Sequence, residues 1–209
     1  MIFKDVSVVC EGQTEVDFIK CLNEKYFIPK RISLKPVSYN KSTSMNGNVS
    51  VDRIVQYIKK AKHPIVTTFV DYYGFKHQSG RSVTQIEEEI KEKANKEFFI
   101  PYLQMHEIEA LWFSDINAIK EVKNPNDLQV NRLMKIVNEY PNPEDINNSP
   151  QTAPSKRLES IFPDYQKVLD GKLISNKLSI PKIQEKCPRF SKWLKDIEDM
   201  ANSLRETNY

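Results

Sequence analysis

Val6-Ser7-Val8-Val9-Cys10-Glu11-Gly12-Gln13-Thr14-Glu15 is the stretch that decides the fold. Its first five residues are β-prone with little polar alternation, which predicts a strand covered on both faces. The run stops at Glu11-Gly12, and Thr14 is placed to cap a following helix, with Asp17 three residues on as a weak capping box. Val16, Phe18, Ile19 and Leu22 make that helix apolar around much of its girth. Strand, tight turn and helix are the first half of a βαβ unit.

The same rhythm continues outward from this segment. Ile32 to Val37 predicts a second strand, which Pro36 pushes to a sheet edge because it cannot donate to a ladder. Tyr39 to Ser50 is polar and reads as a mobile loop. Val51, Ile54, Val55 and Ile58 then recur at amphipathic helical spacing. Ile65 to Val70, apolar or threonine throughout and closed by Asp71, predicts another central strand. After a loop containing Gly74 and Gly80, Val83, Ile86, Ile90 and Ala94 line one side of a helix whose charged side is solvated. Phe98 to Met105 predicts a strand, and His106 to Phe113 the start of a helix. Alternation of this kind predicts an α/β fold with a mainly parallel sheet and helices on both faces.

Pro141 to Pro154 changes to proline- and asparagine-rich composition and reads as a long loop. Beyond it, Phe190, Trp193, Leu194, Ile197, Ala201 and Leu204 form a helical stripe expected to pack back onto the sheet. The expected division is an α/β core over 1–140 and a loop with a C-terminal helical extension over 141–209.

Bulk composition excludes several classes. The chain has 209 residues, 39% of them hydrophobic, enough for one sizeable core. A net charge of +3 is too small to drive the chain onto nucleic acid by a global field, so a polyanion site must be a local patch. No apolar run reaches membrane-spanning length and the N-terminus lacks signal-peptide character, so a cytoplasmic protein without membrane attachment is expected. The 3 cysteines lack metal spacing, which argues against a disulfide framework and a structural zinc. Serine-hydrolase, P-loop and dinucleotide signatures are missing.

The chemistry-bearing residues cluster at strand ends. Ligands of open α/β sheets bind beyond the carboxyl ends of the strands, where loops gather side chains from several strands. Glu11 and Asp71 each follow a buried strand, and Glu107 and Glu109 follow a third. Carboxylates brought together repel unless a cation compensates, and oxygen ligands without His or Cys favour Mg²⁺ or Mn²⁺. Glu15, one turn beyond Glu11, either joins this cluster or is an acid stabilised by the helix dipole. If their segment is helical, Glu107 and Glu109 diverge, one as a ligand and the other as a cap or supporting group. Lys156 and Arg157 stand at a predicted helix start, where cations oppose the dipole, so a bound phosphate would account for them. Lys167 and Lys172 extend that patch. Tyr72, Tyr73 and Phe75 read as core aromatics ahead of base-stacking ones, and His77 is the histidine worth testing.

Four motifs carry a family resemblance: Val9-Cys10-Glu11-Gly12-Gln13-Thr14-Glu15, Thr68-Phe69-Val70-Asp71-Tyr72-Tyr73-Gly74-Phe75, His106-Glu107-Ile108-Glu109-Ala110-Leu111 and Thr152-Ala153-Pro154-Ser155-Lys156-Arg157-Leu158. In this order they resemble domain of unknown function 4276, whose core is similar to the TOPRIM fold of topoisomerases, primases and overcoming-lysogenization-defect nucleases. The resemblance implies a TOPRIM-like sheet and Mg²⁺-dependent phosphodiester chemistry. It matches Glu11 to the strand-end glutamate, Asp71 to the first aspartate of a DxD-type pair, Glu15 and Glu109 to the extra acids of the nuclease branch, and Lys156 to its late catalytic lysine. Tyr73 stands where the second aspartate is usual, so a second metal would need Glu107 or Glu109. An AAA-type ATPase partner and a role in phage defence are implied by the family's gene neighbourhoods.

The expectation is therefore a metal-dependent nuclease acting on DNA or RNA. Glu11, Asp71 and Lys156 are its catalytic residues, and Glu11, Glu15, Asp71, Glu107 and Glu109 are its candidate ligands for Mg²⁺ or Mn²⁺. Lys156, Arg157 and Lys167 are its phosphate-binding groups, and a homodimer is left open. The alternative is a non-catalytic TOPRIM-like subunit that binds an ATPase or nucleic acid.

Overall fold

β1 (Lys4–Cys10) organises the sheet, pairing in parallel with β2 (Ile32–Ser38) on one side and β3 (Ile65–Asp71) on the other. β3 pairs in parallel with the short β4 (Phe99–Ile100), giving the order β2-β1-β3-β4, and β5 (Leu103–Gln104) also pairs with β3. This is a computed structural model, and it describes residues 3–39, 50–75, 80–146, 149 and 151–206. Most of the polar loop expected over Tyr39–Ser50 falls outside the described residues, as do His77 and, in the proline-rich loop, Asn147, Asn148 and Pro150.

The described chain forms two compact units, Met1–Leu103 with Lys192–Tyr209, and Gln104–Ser191. The first is the α/β unit. All seven residues of β3 are buried, as a strand covered on both faces requires. β2 buries its first three residues and then alternates toward solvent, consistent with its edge position and with Pro36. α1 (Gln13–Leu22) links β1 to β2, α2 (Val51–Lys60) links β2 to β3, and α3 (Val83–Ala94) links β3 to β4. The first connection runs along the sheet in one direction and the next two in the other. Right-handed crossovers therefore put α1 on one face and α2 with α3 on the opposite face, and α2 packs against α3. The order reverses between β1 and β3, which makes their C-terminal ends the switch point at which such sheets open a crevice.

The core under β3 is aromatic. Phe69 stacks on Phe18 of α1 with centroids 5.4 Å apart and on Tyr102 at 5.6 Å. Trp193, in the long helix α10 (Pro188–Glu206), closes the cluster at 5.3 Å from Phe69 and 4.8 Å from Tyr102, and its Nε1–H donates to Thr67 Oγ1 at 2.8 Å. The stripe expected to return to the sheet does so at this residue.

Three local expectations are corrected. Helix α1 begins at Gln13, and its cap is Gly12 together with Glu15 rather than Thr14 with Asp17. Phe98 to Met105 is not one strand but β4 and β5 separated at Pro101, where the missing N–H breaks the ladder. Thr68 Oγ1 bridges the break by accepting from Tyr102 N–H and donating to Tyr102 O, both at 2.9 Å. The segment from His106 is not helical at its start, because His106 adopts a left-handed φ of 63° and α4 covers only Glu109–Trp112.

The second unit is helical. It contains α4, α5 (Ile116–Lys123), α6 (Asp127–Glu139), α7 (Pro154–Ile161), α8 (Lys167–Lys177) and α9 (Ile180–Lys186). Among the described residues, no helix is long and apolar enough to cross a membrane.

Candidate functional site

Three adjacent parallel strands end together, and their final residues build the site. The register pairs Cys10 with Ser38 on one side and with Phe69 on the other. Glu11 therefore leaves the middle strand at the level where Tyr39 leaves β2 and Val70-Asp71 closes β3, with neighbouring backbones about 4.8 Å apart. The β1–β2 ladder continues into the site, since Tyr39 N–H donates to Cys10 O at 3.1 Å and Ser38 Oγ donates to Glu11 O at 2.9 Å. Asp71 is 8% exposed and Glu15 only 5%, so these carboxylates stand largely out of water.

Glu15 reaches the same place from the first turn of α1. Its Oε2 accepts the Gly12 N–H at 2.8 Å, which folds the side chain back over the strand-to-helix turn. A Cβ on Gly12 would stand 3.2 Å from that oxygen, so a larger residue there would make the Glu15 carboxylate give by a few tenths of an ångström. Of the two sequence readings of Glu15, the acid in the helix's first turn is the one seen here, as a cap on the Gly12 N–H.

Tyr39 was missed by sequence reasoning, which took it as the first residue of a polar loop. It is 2% exposed, and its Oη has no hydrogen-bond partner among the described residues. Burial pushes its hydroxyl far above the ordinary phenol range, and the charges of Glu11, Glu15 and Asp71 push in the same direction. The signal that would have found Tyr39 is its position directly after a strand, the same position that singled out Glu11 and Asp71.

The remaining candidates belong to the helical unit. Both oxygens of Glu107 are taken by Ser155 at the start of α7, with N–H to Oε2 at 2.9 Å and Oγ–H to Oε1 at 3.1 Å. Glu107 is therefore a cap, for a helix 48 residues further along the chain. Lys156 pairs with Glu159 at 2.6 Å, while Arg157 donates to Thr152 O at 2.8 Å and to Tyr140 Oη at 3.2 Å.

Buried acids serve the same purpose elsewhere in this unit. Asp115 accepts Ser179 N–H at the start of α9 and pairs with Lys182 at 2.7 Å, and Asp170 accepts Gln166 N–H at the start of α8. Glu144 accepts the N–H groups of Arg189 and Phe190 at the start of α10. Each places a negative charge where helix dipoles favour one.

Glu109 is fully buried, with Oε1 3.0 Å from Lys167 Nζ. Its Oε2 has no hydrogen-bond partner among the described residues. Burial pushes its carboxyl up to about 7, opposed in part by Lys167 and assisted by Glu107. Between the ordinary carboxyl range and that value, the unfolded chain has lost this proton and the folded chain retains it. Stability from this group is therefore complete near pH 4 and is lost as pH rises through 7, by an amount on the order of 3 kcal/mol. Denaturant titrations at pH 5 and pH 8 are expected to show that loss in the wild type and a much smaller one in Glu109→Gln. Equal pH dependence in both would refute the assignment.

Among the described residues, no group of three or more His, Cys, Asp or Glu side chains stands close enough together to hold a metal ion. Glu11, Asp71 and Glu15 nevertheless fit a hard cation by chemistry, being oxygen donors shielded from water. Mg²⁺ in particular is commonly held by one or two carboxylates, with waters and substrate phosphate completing its shell.

A parallel α/β sheet with acids at the carboxyl ends of its switch-point strands defines the class. The chain belongs to the family described as Domain of unknown function (DUF4276), whose model matches residues 10–198. That is the family its four motifs resemble. No curated protein matches the chain. A similar solved structure is the C-terminal region of the OLD protein of Xanthomonas campestris pv. campestris. It is 14% identical, covers 98% of both chains and superposes with a TM-score of 0.49.

Proposed function

We propose that the chain is a metal-dependent nuclease whose site is the acidic group of the α/β unit. The observation that carries this reading is the departure of Glu11 and Asp71 from the C-terminal ends of two adjacent parallel strands, at the point where the strand order reverses. Glu11 and Asp71 are the residues that would hold Mg²⁺ or Mn²⁺, with Glu15 supporting them from the Gly12 turn. When bound, such an ion supplies Lewis acidity at a scissile phosphate and lowers the pKa of an attacking water. The carboxylates orient that water and keep bulk solvent from the reacting phosphate.

Lys156, Arg157 and Lys167 carry less of this reading than their sequence positions suggested, since each has a partner within its own unit. DNA or RNA is the substrate, and an AAA-type ATPase partner and a defence role are suggested by the family resemblance.

Tyr73 favours a second reading. It is 48% exposed at the place of a second aspartate and brings no carboxylate there, as suits a non-catalytic nucleic-acid-binding or ATPase-binding subunit. Incubation of the full chain with labelled plasmid, single-stranded DNA and RNA in Mg²⁺, Mn²⁺ or EDTA separates the two. Cleavage in the metal buffers alone is expected. Intact substrate in every tube, with a cognate ATPase added as well, would favour the subunit reading.

A further inference from the structure

A cavity of about 250 Å³ lies within the α/β unit, on the sheet face that α2 covers. The strand register makes its floor. Ser7 pairs with Lys35 and Val9 with Val37, and residues two apart on a strand project to one face, so these four side chains lie together. Tyr57 and Ala61, one helical turn apart at the end of α2, form the wall. Ser7 and Val9 are 3% and 2% exposed, whereas Val37, on the edge strand, is 45% exposed. The hollow is therefore deep at β1 and opens over β2, a shape for a small molecule rather than for a flat protein surface. Its rim is cationic. Lys35 is matched by Asp5 at 3.5 Å, and the same carboxylate stands 3.8 Å from His63 Nδ1. No ion pair among the described residues takes Lys60 or Lys62. The helix dipole favours Lys60 in the last turn of α2, but Lys62 lies past the helix. Surplus positive charge thus borders an apolar hollow.

We propose that this cavity binds a small organic anion, its single apolar ring seated against Val9, Val37 and Tyr57 and its phosphate or carboxylate group turned outward to Lys60 and Lys62. Volume sets the size of the ligand, since a cavity of about 150 Å³ takes benzene and drug-sized sites begin near 300 Å³. The space here suits one ring with a short arm. The lining sets the chemistry. A nucleobase would bury several polar ring and exocyclic atoms, and the floor offers them one hydroxyl, that of Ser7. Lys35 is turned to Asp5, and Tyr57 Oη donates to Tyr39 O at 3.4 Å. An aryl ring asks for no such partners and covers the exposed Val37. Glu11, Glu15 and Asp71 do not line the cavity, so this site does not depend on the metal-site reading.

The test is titration of the full chain, in EDTA, with phenyl phosphate, benzoate, benzyl alcohol and adenosine monophosphate, followed by the amide shifts of a nuclear magnetic resonance spectrum. Phenyl phosphate and benzoate are expected to bind with dissociation constants of about 1 mM or below, which asks only modest affinity of each ligand atom. They are expected to move the amides of Ser7, Val9, Val37 and Ala61 ahead of all others. Benzyl alcohol keeps the ring without the charge and is expected to bind about fivefold more weakly, as fits two exposed charge contacts. Lys60 and Lys62 are both exposed, so the double variant Lys60→Gln/Lys62→Gln should fold as the wild type does. It is expected to bind phenyl phosphate no better than the alcohol. Val37→Glu, which sets a carboxylate in the hollow, is expected to weaken both anions by about 10-fold or more. Equal affinity for phenyl phosphate and benzyl alcohol, unchanged anion binding in the double variant, or shifts centred away from the β1–β2 face would overturn the proposal. So would the lack of any shift with either anion. Tighter binding of adenosine monophosphate at the same amides would overturn the aryl assignment in favour of a nucleotide.

Discussion

Asp71→Asn is expected to erase the rise in melting temperature that Mn²⁺ gives the wild-type chain and to cut nucleic-acid cleavage by about 100-fold or more, as loss of a group acting on developing charge does. Asp71 closes a strand whose seven residues are all buried and is itself 8% exposed, so its charge is held where water does little to screen it. Asparagine keeps the shape and removes the charge. A ligand that binds only the folded state stabilises it by about 2.7 kcal/mol at a hundred times its dissociation constant. For a chain of this size that corresponds to roughly 5–11 °C. The wild type should show this gain in saturating Mn²⁺ and the variant should not, while the two should melt within a few degrees of each other in EDTA. An equal Mn²⁺ response in both would remove Asp71 from the metal site.

The largest stability effect is expected at Trp193. Its side chain is 2% exposed, meets two aromatic rings and donates to Thr67 across 126 residues of sequence. Truncating a buried tryptophan leaves a cavity that costs about 3–5 kcal/mol, and lost ring–ring contacts move the value toward the upper end. Trp193→Ala is therefore expected to lower the melting temperature by about 8–20 °C. Trp193→Phe retains most of the burial but not the Nε1–H, so it should recover more than half of that loss. A fall under about 3 °C for the alanine variant would mean that the aromatic cluster beneath β3 does not hold the helix, against the cost just derived.

Much of the α/β unit was legible because its signals are local. The unbroken run at Ile65–Val70 becomes the central strand β3, Pro36 lies on the edge strand, and the spacing of Val51, Ile54, Val55 and Ile58 becomes α2. Strand ends are local signals too, and so the placement of Glu11 and Asp71 at the ends of β1 and β3 was legible from sequence. What escaped depends on contacts between distant residues. Nothing near Glu107 announces that it will cap a helix beginning at Pro154, and nothing near Glu109 announces Lys167. Charge periodicity treats a buried cap, a buried ion pair and a metal ligand alike, because all three are acids after an apolar run. Tyr39 escaped for a related reason: a polar stretch follows it, and averaging over that stretch hides one aromatic residue that belongs to the strand before it.

The tie between Thr67 and Trp193 also bears on how the chain is made. Ribosomes add about 5–20 residues per second, so β3 is complete some 6–25 s before the helix that seals its aromatic underside has been synthesised. Throughout that interval Phe18 and Phe69, joined by Tyr102 once it is made, lack their lid, and the nascent sheet has a greasy flank open to chaperones. Slowing translation ahead of the last helix would lengthen that exposure without altering one contact of the finished protein.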